Sequence, residues 1–370
     1  MANLLIPTLY GQNYWDEPII QGISLQFHIT AKCDQKCKHC YMYNTPSYNE
    51  QLENALSKEE IFELFDQFRE FFTEYHCGGA IAITGGDPIL SPFFWDVLTY
   101  IKYSYSFFNE ISILGNSYHI TPEVSRRLKE NGVNMYQISI DGLEETHDRL
   151  RRPGSFQDAL RALKVLHNAG IKTVVSFTLS KMNAKDFIPL MEFLDEQEYI
   201  DYFGFDRLIP MGNASDKTDQ MFTPTEYREL LFEIFKREVI IKPRLISSRK
   251  ENLWRLLFFE LGLVDPLDTE TSRLLAGCSA GTATVTVLAD GTVYTCRRLE
   301  LAAGKFPQNT FKDIFIHNPI TPLLRDVNKY EACNTCPLRG YCRGCPASKF
   351  AMTGDLTARD PLCWRNQNAI

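Results

Sequence analysis

From about residue 23 onward, short apolar runs alternate with longer stretches of helical periodicity. Ile23 to Ile29 reads as a strand, because Ile23, Leu25 and Phe27 alternate with Ser24, Gln26 and His28. Ser57 and Glu60 form a capping box before a helix whose apolar positions Ile61, Leu64, Phe65 and Phe68 recur at helical spacing. A second strand, Ala80 to Thr84, ends at Gly85-Gly86. Ser91-Pro92 opens a helix through about Ile101, Glu110 to Leu114 is a third strand, and Thr121-Pro122 starts a helix that Gly132 stops. Further strands are predicted at Met135 to Ile140, Thr173 to Leu179 and Asp201 to Arg207. Helices fall between them at Phe156 to Ala169 and about Asp186 to Glu196, and Thr223-Pro224 opens another.

Repeated strand-helix units require a parallel sheet, since each crossover returns the chain to the same strand direction. Six such units predict an α/β fold, a partial (β/α)6 TIM-like barrel over residues 23–240 after a short extension, 1–22. Binding loops in such folds gather at the carboxyl ends of the strands. Cys33 to Cys40, Thr84 to Pro88, Asn116, Ser139 to Gly142 and Arg207 to Gly212 all stand there and are expected to surround one site. Residues 241–276 read as a helical bridge, with Leu253, Leu256, Leu257 and Leu261 on one face. Thr282 to Leu288 and Thr292 to Cys296 alternate around Asp290-Gly291, a hairpin signal. From Cys333 on, cysteine, glycine and proline replace periodic apolar residues, so the region 277–370 needs cofactors to hold it.

Composition changes this picture little: 44% hydrophobic and 23% charged residues suit a globular chain. A net charge of -7 argues against a general nucleic-acid binder. No signal segment and no apolar run of about 20 residues predicts a cytoplasmic protein without a membrane span. The 11 cysteines change it greatly, because close Cys-x-x-Cys pairs in such a chain favour metal over disulfides. Ten of them fall into two groups: Cys33, Cys37 and Cys40, then Cys278, Cys296, Cys333, Cys336, Cys342, Cys345 and Cys363. Four thiolates complete an iron-sulfur or zinc site, whereas three leave a metal position open to a substrate or cosubstrate. The first group therefore reads as catalytic. Cys77 stands apart and is expected to be a small buried residue after a helix.

Cys33-x3-Cys37-x2-Cys40, directly after the first strand of a barrel pattern, resembles the radical S-adenosylmethionine (radical SAM) superfamily. A zinc loop is the alternative, but no fourth protein ligand stands nearby. The resemblance implies one [4Fe-4S] cluster on these three cysteines, with S-adenosylmethionine (SAM) on its open iron. It also places SAM contacts at His39 and in the turn Thr84-Gly85-Gly86-Asp87-Pro88, where the family commonly has Glu at the Asp87 position. Further implied contacts are Asn116, Ser139, Arg151 with its neighbour Arg152, Ser176 and Arg207, and Asn183 falls where many members have a loop asparagine.

The later cysteines resemble the SPASM domain and imply two auxiliary [4Fe-4S] clusters. Cys333, Cys336, Cys342 and Cys363 would hold the outer one, and Cys278, Cys296 and Cys345 the inner one, whose fourth ligand is unassigned with Cys77 a distant candidate. Only Arg343 and Gly344 separate Cys342 from Cys345, one residue fewer than the usual pattern. A zinc ribbon on Cys333, Cys336, Cys342 and Cys345 is the alternative. By resemblance the chain is an oxidoreductase that abstracts a hydrogen atom with a 5'-deoxyadenosyl radical. Its expected substrate is a precursor peptide or protein, crosslinked through a thioether or carbon-carbon bond, and its electron donor a flavodoxin or ferredoxin. Sulfatase-type maturation is disfavoured, because Arg297 and Arg298 follow Cys296 where that subgroup places an acid. Maturation of a small molecule or cofactor, and a redox relay without catalysis, are the other readings. With 22 residues before the barrel there is no room for a leader-binding domain, so a leader would use a strand edge, the bridge or a separate protein. No general base is assigned.

Overall fold

The computed structural model describes residues 22–104, 108–248, 251–265 and 274–365. Six strands, β1 (Gly22–Thr30), β2 (Gly78–Gly85), β3 (Phe108–Leu114), β4 (Met135–Ser139), β5 (Lys172–Leu179) and β6 (Tyr202–Arg207), lie side by side in chain order. Every neighbouring pair among them is parallel. The helices predicted between them occur as Lys58–Glu74, Phe94–Ser104, Pro122–Glu130, Ser155–Asn168, Phe187–Asp195 and Pro224–Ile241. Ser57 closes the expected capping box with Glu60, and Thr223 makes a second one with Glu226.

The sheet is larger than the sequence pattern predicts. β7 (Ile246–Ser248) pairs parallel with β6, inside the stretch read as helical; of that bridge, only Trp254–Glu260 is helix among the described residues. At the other edge, the predicted hairpin forms β8 (Thr284–Val287) and β9 (Thr292–Tyr294), followed by β10 (Ala302–Lys305). β8 pairs parallel with β1, so the cysteine-rich region extends the barrel sheet rather than standing beside it. The extension 1–22 lies outside the described residues except for Gly22.

Side-chain alternation divides the sheet into two unlike faces. Leu25, Phe27, Ile81, Ile83, Ile113, Ile138, Val175, Phe177, Phe203, Val285 and Val287 join one core with Leu64, Phe65 and Phe68 of the first long helix. The opposite face reads Gln26, His28, Thr84, Ser112, Ser139, Ser176, Asp206 and Thr286, aligned by register across the strands. That polar face is the barrel interior. Curvature is shown by Arg298, just beyond β9, whose guanidinium reaches Asp206 of β6 at 3.0 Å although six strands lie between β9 and β6.

Candidate active site

The cysteine loop leaves β1 and is tied down from three sides. Gly86 and Asp87 donate backbone N–H groups to Thr30 and Lys32 oxygens, each at 2.8 Å, and Lys38 N donates to Leu150 O at 2.9 Å. Beyond β6, Asn213 donates its backbone N–H to Cys40 O at 2.9 Å and its Nδ2 to Cys37 O at 2.8 Å. Two glycines make these approaches feasible. A Cβ on Gly85 (φ 138°) would stand 2.0 Å from Thr30 O, and one on Gly212 (φ 57°) 2.6 Å from Cys40 O. Cys33, Cys37 and Cys40 are thereby held close enough to feel one another's charge, and burial pushes the Cys33 thiol up to about 12. Soft, close, desolvated thiols with no metal beside them are costly as thiolates, which is the donor set a cluster would satisfy.

Beside the loop, Gln35, Asn116, Ser139, Arg151 and His147 line one pocket. Ser176 pairs in register with Ser139 at its floor. Thr84 Oγ1 donates to Leu114 O at 2.9 Å, so that side chain ties β2 to β3. Asp34 joins the pocket's rim through Asn116 Nδ2 and His119 Nε2, each at 2.7 Å. Asp87 is 1% exposed and neither carboxylate oxygen has a hydrogen-bond partner among the described residues. Burial, with Asp34 nearby, raises its pKa to about 7. Asp34, Asp87 and His119 bring ligand atoms within 4.8 Å of one another. An orphaned buried carboxylate at this point fits an ammonium group, as the SAM methionine end would present.

This gives a signed prediction. The folded chain holds a proton on Asp87 that the unfolded chain releases, so the penalty is absent below about pH 4 and complete above about pH 7. Asp87→Asn should stabilise the cofactor-free protein by about 1–3 kcal/mol at pH 8, with little effect at pH 4, while weakening SAM binding. Thermal melts at both pH values test it, and equal shifts would contradict it.

Asp141 is the residue that sequence reasoning passed over. Fully buried, it accepts Arg151 Nε at 2.6 Å and Thr178 N at 2.8 Å, and lies 3.0 Å from His39 Nε2. Burial alone would raise its pKa, but Arg151 and His39 hold it far below the usual range. Arg151 Nη1 in turn stands 3.6 Å from Cys37 Sγ. Asn183 spends its amide on Asp141 O, Thr178 O and Ser180, and Arg152 pairs with Asp158, so these two serve local structure.

Arg207 requires a correction. It was expected at the cosubstrate, but register places Asp206, with Ser176 and Ser139, on the interior face, and Arg207 on the other. Its guanidinium is buried and paired with Glu251 and with Asp360, at 2.6 Å for Asp360. Asp360 also accepts the Cys345 backbone N–H at 2.7 Å. Arg207 therefore joins the barrel to the cysteine-rich region.

The later cysteines sort into two sets. Cys333, Cys336, Cys342 and Cys363 line one cavity together with Leu253, Leu256 and Leu338. Cys278, Cys296 and Cys345 pack against a separate small core around Ile209 and Leu324, and Cys278 feels the charge of Cys296, as Cys345 feels that of Cys278. Cys77 belongs to the main core, next to the first residue of β2 and at the opposite end of that strand from the site, and does not join them. Arg298 takes up Asp206 and lies within the field of Cys345 and Cys296. Two buried cations support a polyanionic occupant. Among the described residues Lys349 Nζ has no hydrogen-bond partner; it lies 4.3 Å from the Tyr330 ring centroid and feels Cys333 and Cys342. Arg343 Nε and Nη1 are likewise unpartnered, while Nη2 donates to Cys278 O and Ala280 O. Unpaired buried cations need an anion, and thiolate-ligated clusters carry one. Removing a positive charge disfavours reduction, so Lys349→Met should lower the reduction potential of an auxiliary cluster without changing iron content. Potentiometric EPR checks this, and an unchanged potential would refute the role.

Among the described residues, no helix is long and apolar enough to cross a membrane. A model of the radical SAM superfamily matches residues 27–194, and one of the SPASM iron-sulfur cluster-binding domain matches 278–337, ending before Cys342. AdoMet-dependent heme synthase of Nitratidesulfovibrio vulgaris is 27% identical over 365 residues, 96% of each chain. Mycofactocin maturase MftC of Mycolicibacterium smegmatis is 27% identical over 374 residues, 97% of this chain and 86% of its own. The crystal structure of Streptococcus suis SuiB bound to S-adenosylmethionine shares the fold, with a TM-score of 0.72 at 16% identity over 94% of this chain and 78% of that one. With a three-cysteine loop at the mouth of a parallel partial barrel and a cysteine-rich region continuing its sheet, the chain belongs to the radical SAM enzymes that carry a SPASM domain, and its cofactors are [4Fe-4S] clusters and S-adenosylmethionine.

Proposed function

We propose that the enzyme modifies a precursor peptide, abstracting a hydrogen atom inside the barrel and closing a thioether or carbon-carbon crosslink. Cys33, Cys37 and Cys40 would hold the radical-forming cluster, and the two later sets the auxiliary clusters. Bound there, cluster and SAM supply a 5'-deoxyadenosyl radical. The protein's own part is positional. Asn213 and the Gly85-Gly86 turn hold the loop, Asp141 fixes His39 and Arg151, and Asp87 receives the ammonium group.

The observation carrying the reading is the bridge between the two ends of the interior. Tyr41, one residue after Cys40, lies 5.7 Å from the Arg297 guanidinium, and Arg297 follows Cys296. A substrate in this space would meet the radical at one end and the inner auxiliary site at the other, where the electron released on bond formation can leave. Similarity to mycofactocin maturase MftC over 97% of this chain supports it. Equal coverage by AdoMet-dependent heme synthase favours a second reading, maturation of an iron porphyrin. The reduced, reconstituted enzyme should be given SAM with the peptide encoded beside its gene or with an iron porphyrin. Loss of two hydrogens per crosslink from the peptide supports the first reading, and consumption of the porphyrin alone replaces it with the second.

A further inference from the structure

The interior between β1 and β8 carries polar groups that nothing in the described protein satisfies. Gln26 and His28 point inward from β1, and register sets Thr286 of β8 beside Gln26. His28 and Thr286 are fully buried and Gln26 is 9% exposed. Among the described residues, neither ring nitrogen of His28, nor Gln26 Nε2, nor Thr286 Oγ1 has a hydrogen-bond partner. Buried polar groups are nearly always paired, so a cluster of unpaired ones on a single patch points to a missing ligand.

The sign of the ligand follows from the charges around the patch. Arg298 donates to Asp206 Oδ1 at 3.0 Å and to Arg207 O at 3.3 Å. Arg297 stands 3.9 Å from the other oxygen of the same carboxylate and packs over the Tyr41 ring. Two guanidiniums thus share one carboxylate, and the second is left facing His28, whose pKa burial and Arg297 lower to about 3. His28 is therefore a neutral donor beside a cation. Arg298 lies within the field of Cys296 and Cys345, so an auxiliary cluster would offset its charge.

We propose that this patch receives a carboxylate of the substrate, with Arg297 as counter-charge and His28, Gln26 and Thr286 as hydrogen-bond donors. The inference deepens the proposed function and rests on it for the substrate being a peptide, whose carboxylate would be its carboxyl terminus or an acidic side chain. Binding of three probes to the full-length reconstituted protein, with SAM saturating, separates these sources. N-acetylalanine presents the terminal carboxylate, N-acetylaspartate N'-methylamide the side-chain one, and N-acetylalaninamide neither.

At least one carboxylate probe should bind about tenfold or more tightly than the amide, and Arg297→Gln or His28→Leu should remove that preference at unchanged iron content. Thr286→Val, which keeps the side-chain shape, should weaken the carboxylate severalfold and leave the amide unaffected. Equal binding of all three probes, or carboxylate affinity indifferent to both Arg297→Gln and Thr286→Val, overturns the proposal. Arg297-dependent carboxylate binding without turnover of any precursor peptide upholds the patch and removes the peptide reading instead.

Discussion

Cys37→Ala should abolish the formation of 5'-deoxyadenosine from SAM while the iron held by the later cysteines remains. Cys37 is the buried member of its triad, its carbonyl is held by Asn213 and its sulfur faces Arg151. Two remaining thiolates do not retain a cluster that needs three. The loss should exceed the roughly 10–100-fold that removal of a supporting residue costs. Arg151→Met offers the contrast, because it leaves all three ligands in place and takes away only the contact to Cys37 and the partner of Asp141. Residual 5'-deoxyadenosine in Cys37→Ala above the Arg151→Met level would contradict the assignment of this loop.

The second large effect concerns stability. Arg207→Met should destabilise the protein by about 3–5 kcal/mol, since it strands the buried carboxylates of Glu251 and Asp360 without a counter-charge. Tyr227 gives Glu251 a hydrogen bond at 3.0 Å, which does not neutralise it. Because Asp360 also holds the Cys345 backbone, the variant should lose iron from the inner auxiliary site before the radical-forming site. Denaturant unfolding and iron analysis test both parts. A change within about 0.5 kcal/mol, as for an ordinary surface substitution, would contradict the account.

The six parallel strands and the caps between them were legible because two-residue and helical periodicities are local. β7 was not, since its three residues offer no alternation and its pairing depends on β6, distant in sequence. The hairpin at Asp290-Gly291 was readable, but its docking on β1 was not, because edge pairing leaves no mark within the hairpin itself. Cysteine spacing separated two groups and the SPASM resemblance divided the second, while Arg207 was misplaced by reading a motif without its strand parity. Counting alternation from Gly204 would have set Asp206 on the interior and Arg207 outside. Asp141 was hidden for a similar reason. Next to Gly142 it reads as a turn acid, and only the fold brings His39, Arg151 and Asn183 around it.

The central claim is that the loop of Cys33, Cys37 and Cys40 makes this chain a SAM-cleaving enzyme. Its most direct test is the quantity of 5'-deoxyadenosine released by the anaerobically reconstituted, chemically reduced wild-type protein supplied with SAM. The account predicts 5'-deoxyadenosine in at least stoichiometric amount to the chain. A fully iron-loaded protein that releases none would contradict it.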